Sequence, residues 1–587
     1  MKAKLKFVLA WIGFLFGILL LVGGLYIEDA IQWRIHLLTG LWLLSLLPRA
    51  ILNRRWQAFA PTGEVFVTRA IINITLLMGL GFGGVALQLT RNQITQANNI
   101  REYATIYFKP NHANEQEQQS QTPMLRLADR SLVGYEHVWP LKIHFGPRGT
   151  IFDRNGVVLA TNQNNKRFYP NPKLSYLIGF ESRLYGAAGL ELGSDPYLSG
   201  SYAFKPQDLL EARLFHKPVE TKPADLRLTL DNNLQQFTQD ALGKRAGSVV
   251  LLEPKTGAIL AMVSYPYYDP NPLVLPSPAT DEDVAKVRAA WEALMNRTDS
   301  PLINRATQGR YAPGSVLKTL TAAAALDSGV MPNPEGQVTC PDRFFSEPDQ
   351  RPVRNYFDGL AGYTGNPSNL RKVFAFSCNT AFAQIGLMLG PARFGEYAKR
   401  FGLPFADEAS LLPDLQDLPA DVGTIAGTAD FLKSPLNLAE TAFGQGQALV
   451  RPLDMAQMVA AIANEGNLMR PYLVQEARRG DKVVYAAQPE VLRPAISPQA
   501  ASTMRSLLET SVAIGWASPA ALPGVKVGGK TGTAETSSGV PHSWFVGLAP
   551  VEQPRFAIAV IVEHGGEGSQ AALPLARRVL AAALGVK

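Results

Sequence analysis

The chain has 587 residues, 47% of them hydrophobic and 18% charged, which is the composition of a globular protein too long for one ordinary core, so two or three domains are expected. Its net charge of +7 equals the balance of the first 101 residues alone, which hold ten Lys and Arg against Glu28, Asp29 and Glu64. The remainder is neutral overall, so the basic character is a feature of one end and gives no support for nucleic-acid binding.

Three apolar segments occupy that end. Phe7 to Tyr26 is an uncharged run long enough to cross a bilayer, and Ile71 to Leu89 is a second. Ile35 to Leu52 between them is weaker and carries His36, Pro48 and Arg49. Lys2, Lys4 and Lys6 put the N-terminus in the cytoplasm, Glu28 and Asp29 follow the first segment on the far side, and Arg49, Arg54, Arg55 and Arg69 make the loop before Ile71 cytoplasmic. Three spans then carry everything after Arg91 out of the cytoplasm, whereas two would leave the bulk of the chain inside. A cleaved signal peptide is disfavoured because no small-residue cleavage site precedes Glu28.

Residues 111–123 are polar and Gln-rich and read as a linker. From Gly146 to Ala160, two short apolar runs flank Asn155-Gly156, the pattern of a β-hairpin. Glu191, further along, is either a buried structural acid or an orienting residue. From Asp225 the texture changes. Leu226–Leu230, Gly247–Leu252 and Ala258–Ser264 read as strands and Asn232–Lys244 as an amphipathic helix. Ser543–Leu548 and Phe556–Val562 are strands again, followed by a helix over Leu573–Leu584, with helical stretches such as Ser315–Ser328 and Leu453–Glu465 between. Strands from both ends with helices between them predict an α+β domain with one central antiparallel sheet flanked by helices.

Three short motifs carry chemistry. Pro313-Gly314 breaks the chain before Ser315, and an apolar, Ala-rich run follows, so Ser315 is placed at a helix start with Lys318 three residues on, on the same face. A cation near a helix N-terminus, and buried, loses its proton more readily, so Lys318 suits the role of base to a serine nucleophile. Ser377-Cys378-Asn379 lies between two helical segments and can aim a hydroxyl and an amide into a cleft. Lys-Thr-Gly occurs twice: Lys255-Thr256-Gly257 reads as a β-turn between strands, while Lys530-Thr531-Gly532-Thr533 follows a Gly-rich stretch and offers a charge and hydroxyls to a substrate carboxylate. The two cysteines, Cys340 and Cys378, are expected to be unpaired, buried thiols, because a bridge at Cys378 would constrain the second motif. The seven histidines show no ligand spacing, so neither a metal nor a cofactor is expected.

In this order the three motifs resemble the set of the penicillin-binding proteins. Asn304–Ser315, Gly444-Gln-Gly446, Gly528–Glu535 and Trp544–Pro550 are similar to their transpeptidase domains, and Arg148–Gly156 with Ala188–Glu191 to the pedestal of the class B members. The resemblance covers about residues 140–587. It implies a linker and elongated, β-rich, dimerisation-like pedestal at 92–224 and a transpeptidase domain at 225–587; the membrane region at 1–91, with about three helices, rests on the apolar segments and flanking charges above and departs from the family's usual single anchor. It further implies a serine D,D-transpeptidase that crosslinks peptidoglycan stem peptides, with the catalytic domain outside the cytoplasmic membrane. Ser315 would be the nucleophile and Lys318 its base. Ser377 and Lys530 would relay a proton to the leaving D-Ala, and Asn379 would orient Lys318 and the substrate. Thr531, Gly532 and Thr533 would bind substrate, and β-lactams would acylate Ser315. Val450-Arg451-Pro452 departs from the pattern, and Arg451 is assigned no role. No glycosyltransferase motif precedes the transpeptidase, so a polytopic glycosyltransferase of the shape, elongation, division and sporulation (SEDS) family is the expected membrane partner, docking on the glycines at 79, 81, 83 and 84. A β-lactam sensor or a D,D-carboxypeptidase is the alternative on the same fold.

Overall fold

The computed structural model describes residues 2–24, 35–45, 143–144, 147–203, 219–220, 222–347, 351–409, 415–536 and 539–586. The chain divides into two compact units, 1–116 and 117–587. In the first, helix α1 (Lys2–Gly24) covers most of the Phe7–Tyr26 segment, and residues 35–45 of the Ile35–Leu52 segment are helical. These helices meet at glycines: a Cβ on Gly17 would lie 2.8 Å from the Gly40 carbonyl oxygen. Among the described residues no helix is long and apolar enough to cross a membrane. Ile71–Leu89, its glycines, the linker 111–123 and most of the flanking charges lie outside the described residues.

The second unit contains two large sheets. Its strands are β1 (Ile151–Phe152), β2 (Val158–Gln163), β3 (Lys166–Phe168), β4 (Asp225–Leu228), β5 (Gly247–Leu252), β6 (Ile259–Tyr265), β7 (Val474–Arg479), β8 (Lys482–Ala486), β9 (Gly528–Ala534), β10 (His542–Ala549) and β11 (Phe556–Val562). The first sheet has the order β8-β7-β4-β1-β2-β3 and holds the expected hairpin. Asp153 makes that turn by accepting from the N–H groups of Asn155 (2.8 Å) and Val157 (2.7 Å), and Gly156 takes φ +89°. Strands on both sides of residue 225 share this sheet, because β4 pairs in parallel with β1 and antiparallel with β7. Glu191 beside it is fully buried and is a structural acid: it accepts from Arg148 Nε at 2.8 Å, Arg167 Nε at 2.6 Å and the Tyr169 hydroxyl at 3.3 Å.

The second sheet is the central antiparallel one, with the order β6-β5-β11-β10-β9. Strands β5 and β11 are apolar almost throughout and fully buried, because helices cover both faces. Alternation along the strands sorts their side chains. Val249, Leu251, Ile558 and Val560 join one cluster with Leu573, Ala576 and Val579 of the C-terminal helix (Ala572–Leu584). Val250, Leu252, Ala557 and Ala559 join the other, with the helix Pro452–Ala463. On that second side lie three further helices, α2 (Lys318–Asp327), α3 (Leu370–Ala375) and α4 (Asn379–Arg400). The reactive residues stand where these helices meet β9, the edge strand of the sheet.

Candidate active site

Ser315 lies on a 3₁₀ turn, Gly314–Leu317, that runs directly into α2, so the α-helix itself begins at Lys318 and not at the serine. The turn is held by backbones packed without intervening side chains. Gly314 takes φ +55°, and a Cβ there would lie 2.5 Å from the Thr533 carbonyl oxygen on β9. Gly314 N–H donates to the Gly444 carbonyl oxygen at 3.0 Å, and a Cβ on Gly444 would strike Gly314 in turn. A Cβ on Gly532 would meet the Val316 side chain at 2.9 Å and its nitrogen at 3.1 Å. The segment leading to Ser315 is fixed to the sheet as well: Trp544 Nε1 donates to the Ala312 carbonyl oxygen at 3.0 Å, and Glu563 accepts from the Tyr311 hydroxyl at 2.6 Å and from Arg305 Nε at 2.7 Å. These contacts explain Asn304–Ser315, Gly444-Gln-Gly446 and Trp544 in physical terms.

Lys318 is fully buried. Its Nζ lies 3.1 Å from Ser315 Oγ, 3.0 Å from Ser377 Oγ, 2.7 Å from the Ser377 carbonyl oxygen and 2.6 Å from Asn379 Oδ1. The last two groups only accept. Asn379 is oriented to present its oxygen because its Nδ2 donates to the Arg354 carbonyl oxygen at 2.9 Å. A neutral amine has two N–H groups and one lone pair. With both hydrogens given to the obligate acceptors, the lone pair is left for a hydroxyl, and Ser315 Oγ is in range. Burial first, and then the charge of Lys530, push the Lys318 amine well below its ordinary range, toward that neutral form.

Ser377 takes φ +60°, a left-handed conformation that is uncommon for a serine. It occupies the junction between α3 and α4, where its N–H donates to the Phe374 carbonyl oxygen at 3.2 Å. The next residue corrects the expectation of free thiols: Cys378 is bridged to Cys340, with Cα atoms 6.3 Å apart. The bridge leaves Ser377 and Asn379 in reach of Lys318, and both sulfurs are buried against Asn355 and Thr380. Asn355 Oδ1 also accepts from Thr380 N–H at 3.2 Å, which fixes the first turn of α4.

Lys530, Thr531, Gly532 and Thr533 stand in sequence on β9. Lys530 is fully buried, its Nζ donates to the Thr531 carbonyl oxygen at 3.0 Å, and burial lowers its amine to about 7. Thr531 and Thr533 are partly exposed, and Thr533 Oγ1 accepts from Gly568 N–H at 3.3 Å. The other Lys-Thr-Gly is a turn: Gly257 takes φ +82° and its N–H donates to the Glu253 carbonyl oxygen at 2.9 Å. Arg451 caps the helix Pro452–Ala463 through a buried pair with Asp454. Among the described residues no cluster of His, Cys, Asp and Glu is arranged to hold a metal.

Residues 247–581 match the model of the penicillin binding protein transpeptidase domain. The chain is 37% identical over 436 residues to the peptidoglycan D,D-transpeptidase PbpA of Mycolicibacterium smegmatis, spanning 71% of this chain and 84% of that one. It is 27% identical over 424 residues to the peptidoglycan D,D-transpeptidase MrdA of Haemophilus influenzae, spanning 67% and 62% respectively. Among solved structures it is similar to penicillin-binding protein A from M. tuberculosis in its ceftriaxone acyl-enzyme complex, with a TM-score of 0.65 and 32% identity over 76% of this chain and 100% of that one.

Proposed function

We propose that this chain, which belongs to the family of penicillin-binding protein transpeptidase domains, is a serine-type peptidoglycan D,D-transpeptidase of the class B kind. The observation that carries the reading is the Lys318 amine, buried, flanked by two obligate acceptors and 3.1 Å from Ser315 Oγ. Ser315 Oγ attacks the carbonyl carbon of the D-Ala–D-Ala bond while its proton passes to Lys318 Nζ. The backbone N–H groups of Ser315 and Thr533 receive the oxyanion, each worth about 3 kcal/mol in a comparable serine enzyme. The C–N bond then breaks, and the departing D-Ala amine takes a proton through Ser377 Oγ, with Lys530 restoring it. Thr531 and Thr533 hold the terminal carboxylate, Gly532 lets β9 lie against the serine turn, and Asn379 orients Lys318 and the substrate amide. An amine from a second stem attacks the Ser315 ester, and Ser315 recovers its proton as the crosslink forms. Penicillin enters the same path and stops at the ester.

The catalytic unit works outside the cytoplasmic membrane, carried there by three spans ending near Leu89, with 1–91 as membrane region, 92–224 as linker and pedestal and 225–587 as transpeptidase domain. The basic N-terminal flank supports this topology, and so does the Cys340–Cys378 bridge, since disulfides persist in oxidising compartments. The partner is a polytopic SEDS-family glycosyltransferase, because the chain has a crosslinking domain and no recognisable polymerase, and the glycines between 79 and 84 suit close helix packing. Labelling with fluorescent penicillin tests the site: wild type should be labelled, Ser248→Ala should be labelled equally, and Ser315→Ala should not. Undiminished labelling of Ser315→Ala would overturn the mechanism. A crosslinking assay with a stem-peptide acceptor separates transpeptidase from carboxypeptidase, which would release D-Ala without forming dimers.

A further inference from the structure

The catalytic constellation does not use an aromatic surface that begins one residue before Ser377. Phe376 packs edge-on to Trp516 with centroids 5.5 Å apart, and Trp516 Nε1 donates to the Phe376 carbonyl oxygen at 2.7 Å. Tyr363 lies 5.3 Å from Trp516, and Phe357 6.1 Å from Tyr363. These rings are not a core: Tyr363 is 53% exposed and Tyr356, beside Phe357, is 72% exposed. The surface ends in a carboxylate, because the Tyr356 hydroxyl donates to Glu567 Oε1 at 2.9 Å. Glu567 immediately precedes Gly568, whose N–H is held by Thr533 of β9. The patch therefore runs from the Ser377 wall of the cleft to the β9 wall.

Exposed rings ending in a carboxylate are the chemistry that recognises an ammonium group on an aliphatic stem. In the proposed reaction Ser377 stands on the side from which D-Ala departs, and the acceptor amine must enter where D-Ala left. We propose that this aromatic surface, with Glu567 at its end, is the binding site for the acceptor stem peptide, the chain whose side-chain amine resolves the Ser315 ester. The inference rests on the transpeptidase reading and adds to it the second substrate. The amine arrives protonated, is held against the rings and the carboxylate, releases one proton to solvent and attacks the ester carbonyl; as the new amide bond forms and the C–O bond to Ser315 breaks, its second proton returns through Ser377 to Lys530 and Lys318 gives Oγ back the proton it took during acylation.

The test uses the full chain in detergent, a thioester donor ending in a D-alanyl group, and a lysine-bearing stem tripeptide as acceptor. Tyr363→Ala and Glu567→Gln should each be acylated by penicillin within about twofold of the wild-type rate. Each should also shift the partition of the acyl-enzyme from crosslink toward hydrolysis by about tenfold at fixed acceptor concentration, and rising acceptor concentration should restore the crosslink. An unchanged partition in both variants would overturn the proposal, as would a loss of penicillin acylation that matches the loss of crosslinking, since the rings would then serve only to support Ser377. A wild-type protein that penicillin does not label would overturn the underlying function before the acceptor is tested.

Discussion

The six-stranded sheet, in the region proposed as the pedestal, and the catalytic cleft both bury ionic groups, and they treat them in opposite ways. In the pedestal, fully buried Glu191 is flanked by Arg148 and Arg167, and Arg148 also reaches Asp195 at 2.6 Å. In the cleft, Lys318 and Lys530 are equally buried, yet the groups around Lys318 are hydroxyls, a carbonyl and an amide, and its nearest cation is another lysine. Compensated charge makes a rigid joint. Uncompensated charge makes an amine that surrenders its proton, which is the property a base requires. Burial alone does not distinguish the two regions; the identity of the partners does.

Substitutions in the two regions should therefore act in opposite senses. The largest effect is expected in the cleft. Lys318→Met should slow penicillin acylation by about 10²–10⁴-fold, measured by stopped-flow or gel labelling, with the melting temperature unchanged or raised because an uncompensated amine has been removed. Lys530→Ala should also cost orders of magnitude while Lys255→Ala leaves the rate unchanged, and equal losses at the two copies would show that the strand and the turn have been confused.

The pedestal should respond in the reverse sense. Glu191→Ala leaves two guanidinium groups without their shared carboxylate and should destabilise the fold by about 3–5 kcal/mol, read from denaturant unfolding, while the folded fraction is acylated at the normal rate. The cystine stands between these extremes. Cys340→Ala with Cys378→Ala opens a loop with a sequence separation of 38 residues and should cost about 2–4 kcal/mol. It should also slow acylation, because the bridge backs the turn that carries Ser377 and Asn379.

The cleft should also show itself in a pH dependence of stability. Lys530 falls to about 7 in the fold, against an ordinary lysine value of 10.5 when unfolded. Between those values the unfolded chain binds more protons than the folded one, so this residue makes stability rise with pH from about 7 toward 10.5. Lys530→Met should flatten that slope in unfolding experiments at a series of pH values, and an unchanged slope would show that the amine is solvated.

Much of the site was legible in the sequence because its parts are local. Ser315 with Lys318, Ser377 with Asn379, and Lys530 with Thr531 and Thr533 each lie within a few residues, and their order along the chain distinguished one Lys-Thr-Gly from the other. The strands around the central sheet were legible for a similar reason, since β5 and β11 are uninterrupted apolar runs bounded by turns. What escaped the sequence is long-range. Cys340 and Cys378 are drawn together by β-pairing and helix packing that no spacing announces, and the presence of only two cysteines in a chain expected to be exported was the one available signal. The pairing of β7 with β4 joins residues nearly 250 positions apart, so a boundary at 225 could not reveal that this sheet uses strands from beyond the first two reactive motifs. The 3₁₀ turn at Ser315 looks in sequence like the start of an α-helix, because Pro-Gly marks a break without specifying the geometry that follows.

The glycine contacts under Ser315 have a consequence for drug escape. Backbone touches backbone at 314 and 444, so a side chain introduced at either has no room and must displace the turn that carries Ser315. A cell selected for survival under β-lactam therefore has little to gain by remodelling the floor of this cleft. Tolerated variants should fall instead away from these backbone contacts, at exposed positions where a side chain can be exchanged without moving Ser315.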